Sequence, residues 1–159
     1  MAADIFIKIG DIKGESIDSK HKDEIEVLSW GWGASQAGTM GMGSGGGAGK
    51  VSFQDLQFKH LYDKASTNLM NACAIGTHIK DATLVQRKAG GKQEEFIKLK
   101  LTDVIITGVE IEGGNGSAPV EKVSINFSKY EVEYMAQKAD GTMEAGIKTG
   151  YDVKKSEKV

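Results

Sequence analysis

The chain has 159 residues, 40% of them apolar and 26% charged, and its 20 Lys and Arg against 22 Asp and Glu give a net charge of -2. That length predicts one domain, residues 1–159, able to bury a core without staples, and the near-neutral balance excludes a long-range electrostatic pull toward nucleic acid or an anionic membrane. A single cysteine, Cys73, excludes an internal disulfide and a cysteine-based zinc site.

The opening MAADIFIKIGD carries no basic stretch followed by an apolar one, and no apolar run is long enough to span a bilayer, so a soluble chain made in the cytoplasm is expected. Without a signal peptide, the sequons at Asn115 and Asn126 are chance matches.

Ile5, Ile7 and Ile9 alternate with Phe6 and Lys8 and then meet Gly10-Asp11, which predicts a strand and a turn. Asp11 to Lys22 is polar and loop-like. Next, Ile25 and Val27 share one parity while Leu28, Trp30 and Trp32 share the other, so the inward face changes between Val27 and Leu28, as at a bulge. With both Trp rings toward the core, Ser29 and Gly31 point to the opposite face.

The run from Trp30 to Lys50 is densely packed with glycine and has little side chain to bury, which predicts a long protruding loop. Two nucleotide motifs fail there on context. Gly41, Gly43 and Gly46 fit GxGxxG, yet strand-like sequence follows where a helix is required, and the phosphate-loop pattern ending at Gly49-Lys50 has Ser44 and Val51 at defining positions.

Val51 and Phe53, then Leu56 and Phe58, repeat the parity change and predict a second bent strand. Ser66 or Thr67 is placed to cap a helix through Leu69, Met70, Ala72 and Cys73, with Gly76 at its C-terminal stop and Lys59 to Lys64 as a possible upstream extension. Cys73 then reads as a buried structural thiol, and His60 and His78 as surface or satisfied histidines without a second ligand at metal spacing.

Ala82 to Arg87 and Glu94 to Thr102 read as a hairpin about Ala89-Gly90-Gly91, with Ile97, Leu99 and Leu101 on one face. Val104 to Ile111 leads to a second glycine loop, Gly113 to Ser117. The long strand from Val120 to Tyr134 changes parity between Phe127 and Tyr130, Pro119 lies at a loop edge, and Gly146 to Val153 makes a last strand. Eight or so antiparallel strands, three of them bent, with one short flanking helix, predict a mainly β chain whose two curled sheets form a small barrel. No nucleophile elbow, metal-binding HExxH or paired carboxylates assemble a catalytic or metal site, and no cofactor motif survives.

The segments DIFIKIGDIKGES, EIEVLSWGWGASQAG, MGMGSGGGAGKV, KASTNLMNACAIG, VQRKAGG and YMAQKADG together resemble the haemolysin-coregulated protein family, Hcp, from about Asp4 to Val153. The resemblance implies a small β-barrel that closes into six-membered rings, with the rings stacking into the inner tube of the bacterial type VI secretion system. It implies a structural, non-enzymatic role beside a contractile sheath and a tip spike, small effectors held in the ring lumen, and secretion without a signal peptide. It further places Thr39, Met40 and Met42 in the ring-stacking loop with the turn at Gly90 on the ring face, and Gly31 and Asn115, beside Ser29, on the lumen; relatives carry serine where Gly31 and Asn115 stand. No nucleic acid partner and no membrane insertion are expected.

Two other classes fit the residues less well. A monomeric ligand-binding barrel would use the glycine run as a lid over its mouth. An enzyme would need a catalytic constellation that these motifs do not supply.

Overall fold

The computed structural model describes residues 3–38, 40–41 and 48–159. In chain order its elements are β1 (Ala3–Ile9), β2 (Ile25–Glu26), β3 (Ser29–Gly31), β4 (Ala34–Gly38), β5 (Ala48–Phe53), β6 (Leu56–Leu61), α1 (Ser66–Ile75), β7 (Ile79–Lys88), β8 (Glu95–Gly114), β9 (Ser117–Tyr134), β10 (Ile147–Asp152) and β11 (Glu157–Lys158). Every strand pairing is antiparallel. The mainly β class with a single short helix among the described residues is as expected.

The sheets are arranged differently from the predicted pair. One nine-stranded sheet runs β2-β1-β7-β8-β9, where β9 splits its far edge between β10 and β6, and β6 carries β3. The ladders do not close into a barrel: β2 and β3 end the curl without pairing. They are instead consecutive in the chain, and the switch falls where the parity changed. Val27 N–H donates to Ile5 O at 2.9 Å, while Leu28 N–H donates to Lys59 O at 2.8 Å. One residue therefore carries the strand from β1 to β6, because the inward face must flip when the partner changes.

The same local rule bends the long strands. On β8 the buried positions run Leu99 and Leu101, then Val104 and Ile106, and on β9 Val123, Ile125 and Phe127 give way to Tyr130 and Val132. Asp103 at the bend has φ +52, and Ser128 opposite it donates to Thr102 O and Asp103 Oδ2, each at 3.1 Å. The core enclosed by the curl includes Ile7, Ile25, Phe58, Leu84, Leu101 and Ile125, and α1 closes one side of it by packing Leu69 and Ala72 toward β8.

Several expected boundaries shift. The glycine run is not loop throughout: β4 and β5 pair as a separate two-stranded ribbon, with Ala34 opposite Phe53 and Gln36 opposite Val51. Its root is fixed by aromatic contacts, Trp32 lying 4.7 Å from Tyr130 and 6.3 Å from Phe53 between ring centroids. Val51 to Phe58 is two strands in different sheets rather than one bent strand. Residues 59–61 continue β6 instead of extending the helix, and α1 has no side-chain cap of its own; Asp63 Oδ1 accepts from Ala65 N–H at 2.9 Å one turn earlier. Gly76 ends the helix with φ +67, as its position predicted. Pro119 sits inside β9, near its start, where its carbonyl accepts from Tyr62 N–H, and Cys73 is only half-buried.

Of the two alternatives for His60, surface or satisfied, the structure takes the second, while the cluster at Arg87 was outside the sequence reading. His60 lies wholly inside the curl, its Nε2 2.7 Å from Glu121 Oε1 and its Nδ1 3.7 Å from Asp63 Oδ2. On the outer face of β1 and β7, the polar 11–24 segment covers a second small core. His21 stacks on Phe6 at 4.5 Å, and the Arg87 guanidinium lies 4.9 Å from the same ring.

Candidate interaction surface

β3, β6, β9 and the second half of β8 lie side by side, and the pairing register fixes which side chains share their outer face. Trp30, Phe58 and Val123 form an inward row. Because neighbours on a strand alternate, the flanking rows turn outward: Ser29, Lys59, Lys122 and Glu110 in one, Gly31, Gln57, Ser124 and Gly108 in the other. Ser29 and Gly31 are both exposed, and a Cβ added at Gly31 would meet nothing within 4 Å. At one end of the face Asp55 is held by two donors, Thr107 Oγ1 at 2.6 Å and Asn126 Nδ2 at 2.9 Å.

The flanks of this face share a property. β8 pairs with β7 only as far as Val104, so among the described residues its stretch 105–112 has a partner on the β9 side alone. β3 likewise pairs only with β6. A free strand edge at either side of one sheet presents unpaired backbone donors and acceptors to another chain.

The remaining expected positions lie elsewhere. Asn115 stands exposed in the two-residue turn between β8 and β9, about 17 Å along the strand from the Lys122 row at the usual rise per residue. Met40 is 81% exposed beyond the end of β4, and Gly90, with φ +78, occupies the exposed β7–β8 turn. Thr39 and Met42 fall outside the described residues. One copy of the chain thus brings Ser29 and Gly31 together and leaves Asn115, Met40 and Gly90 on three separate projections. Sequence reasoning missed Gln57, Lys59, Lys122 and Ser124, although the alternation on β6 and β9 that buried Phe58 and Val123 already turned them outward.

Among the described residues, no group of three or more His, Cys, Asp or Glu could hold a metal ion, and no helix is long and apolar enough to cross a membrane. The chemistry available on the face is that of contact: two glycines, two hydroxyls, an amide, two amines, a carboxylate and open strand edges.

A curled antiparallel sheet with a projecting ribbon, one flanking helix and an exposed small-residue face defines the class of protein. Residues 6–134 match the family model described as Type VI secretion system effector, Hcp. The chain is 50% identical over 159 residues to Protein hcp1 of Pseudomonas aeruginosa, covering 98% of each. It is 40% identical to the crystal structure of Hcp1 from Salmonella typhimurium, with a TM-score of 0.81 and 100% of both chains covered. A solved type six secretion system protein at 30% identity superposes with a TM-score of 0.94, covering 99% of this chain and 100% of the other. The chain belongs to the Hcp family of type VI secretion system proteins.

Proposed function

We propose that this chain is the ring-forming component of a type VI secretion tube: copies close head to tail into six-membered rings, the rings stack, and the Ser29–Gly31 face lines the lumen and holds small effector proteins. The observation that carries this reading is the pair of open edges, β3 on one flank and residues 105–112 of β8 on the other. They are different edges on opposite flanks of one sheet, so pairing each with the other on the next copy is a heterologous contact, which builds a ring when the rotation closes. In such a ring the four-stranded faces join into a continuous wall.

The ribbon supports stacking. All five residues of β4 are exposed, and a two-stranded ribbon has little stability of its own in water. Met40 beyond β4 and Gly90 on the β7–β8 turn are exposed contact points for a second ring, with Thr39 and Met42 beside Met40 in the sequence. Asn115 reaches the lumen rim on its own hairpin. The sheath and the tip spike are the further partners, the chain leaves the cell through the apparatus without a signal peptide, and its role is structural.

Light scattering behind size exclusion tests the ring. A species near six times the 17.0 kDa chain mass is expected; a single-chain mass at every concentration overturns the ring and returns the chain to a monomeric binding role.

A further inference from the structure

Lys59 is placed unusually on the outer face. In the row Ser29, Lys59, Lys122, Glu110, its cross-strand neighbours are a hydroxyl on one side and a second lysine on the other. Lys122 has Glu110 directly across on β8, but Lys59 has no acidic neighbour in the ladder. Among the described residues, neither lysine has a carboxylate oxygen within 4.0 Å. The carboxylate of Asp55 lies four residues back along the chain, about 13 Å at strand spacing, and is occupied by Thr107 and Asn126.

Like charges directly opposed on a sheet repel at close range. An anion between them relieves that repulsion and gains two charge-assisted hydrogen bonds. The Ser29 hydroxyl beside Lys59 adds a donor, and the open space over Gly31 in the adjacent row lets a partner approach the sheet closely.

We infer that Lys59, with Ser29 and Lys122, forms a carboxylate-binding seat, so that the face selects proteins presenting an Asp- or Glu-rich segment. This rests on the reading of the face as the cargo surface and gives that cargo a chemistry. Repeated around a ring, the seat becomes a band that a multivalent acidic surface engages at several points. A nucleic acid strand fits less well, because its continuous phosphate charge would run over Glu110, Glu112 and Asp55 as well.

The test measures binding of fluorescent deca-glutamate to the full chain by anisotropy at low and high salt, with deca-lysine and decathymidylate as comparison probes. Wild type should bind deca-glutamate, more weakly as salt rises. Lys59→Met should weaken it about tenfold, Lys59→Arg should retain it, and Lys59→Glu should shift preference to deca-lysine. Lys92→Met, a substitution on the distant β7–β8 turn, should change nothing. Absence of deca-glutamate binding, an unchanged affinity in Lys59→Met, or equal Lys59-dependent binding of decathymidylate overturns the inference. Solution mass, measured on the same samples, separates the two readings. A six-chain species without a Lys59 effect ends the seat alone, and a single-chain species that keeps the effect ends the ring alone.

Discussion

Arg87, at the end of β7, grips Asp18 from 69 residues away, with Nη1 donating to Oδ2 at 3.0 Å and Nη2 donating to Oδ1. Its Nε and Nη2 also donate to Asp4 Oδ2, each at 3.3 Å. One guanidinium therefore pins the 11–24 segment and the start of β1 to β7, over a Phe6 ring that stacks on His21. A planar fork of donors suits two carboxylates in a way an ammonium does not.

Replacing Arg87 should loosen that segment without unfolding the sheet. Arg87→Met keeps the contact with Phe6, strands both carboxylates, and should cost about 1–2 kcal/mol in urea unfolding, with Arg87→Lys recovering only part of it. Protection of the 11–24 amides against hydrogen exchange should fall first.

The same contact sets an acid limit. The hydrogen bond from Arg87 holds the Asp18 carboxyl at about 2, below its ordinary 3.8. A depressed folded-state value stabilises the fold above the unfolded value and loses that stabilisation as pH falls through the folded one. Stability should thus hold down to about pH 4 and decline toward about pH 2, and Asp18→Asn should remove this part of the decline. An unchanged acid limb in that variant would show that other carboxylates set it.

His60 gives the opposite slope. Burial pushes its pKa down, but the carboxylates of Asp63 and Glu121 outweigh this and raise it above the ordinary histidine value. A raised folded-state value contributes stability below the unfolded pKa, near about pH 6.5, that is lost as pH rises through the folded value. Unfolding free energy should therefore fall as pH rises above about 6.5, and His60→Gln should flatten that slope. His60→Ala leaves Glu121 buried without a partner and should cost about 3–5 kcal/mol.

Two glycines should respond oppositely to one methyl group. At Gly14 a Cβ would lie 2.5 Å from the Glu24 carbonyl oxygen, which is backbone and cannot yield, so Gly14→Ala should destabilise by about 1–3 kcal/mol. At Gly31 the space is open, and Gly31→Ala should fold as wild type does. Thermal unfolding of the pair checks both.

The exposure of Gly31 and Asn115 makes the cargo reading testable apart from folding. Gly31→Gln or Asn115→Gln should leave the solution mass unchanged and lower the amount of effector that copurifies with the protein. Met40→Asp should keep single rings and reduce tube length in electron micrographs. Full effector recovery in both lumen variants would remove that assignment, and long tubes from Met40→Asp would remove the stacking contact.

Much of this was legible locally, because a strand's side-chain period of two ties each residue's facing to its neighbours. Ile5 to Ile9, the parity changes at Val27–Leu28 and Phe127–Tyr130, the outward turn of Ser29 and Gly31, and the stop at Gly76 all follow from that rule or from left-handed glycine geometry. Within the glycine run the same reasoning failed. Residues 34–38 and 48–50 have almost no apolar pattern, and their pairing rests on backbone hydrogen bonds that composition does not encode.

By itself, then, the sequence determined most strand faces, the parity changes at Val27–Leu28 and Phe127–Tyr130, the helix stop and the family resemblance, all of which depend on residues near one another in the chain or on ordered motifs. Only the tertiary structure decided that His60 meets Glu121, that Arg87 meets Asp18, that Lys59 opposes Lys122, and that the curl ends at β2 and β3 with edges left open. Each of those depends on the register between strands far apart in the chain, and sliding one strand by a single residue would bury the lysines and expose the core.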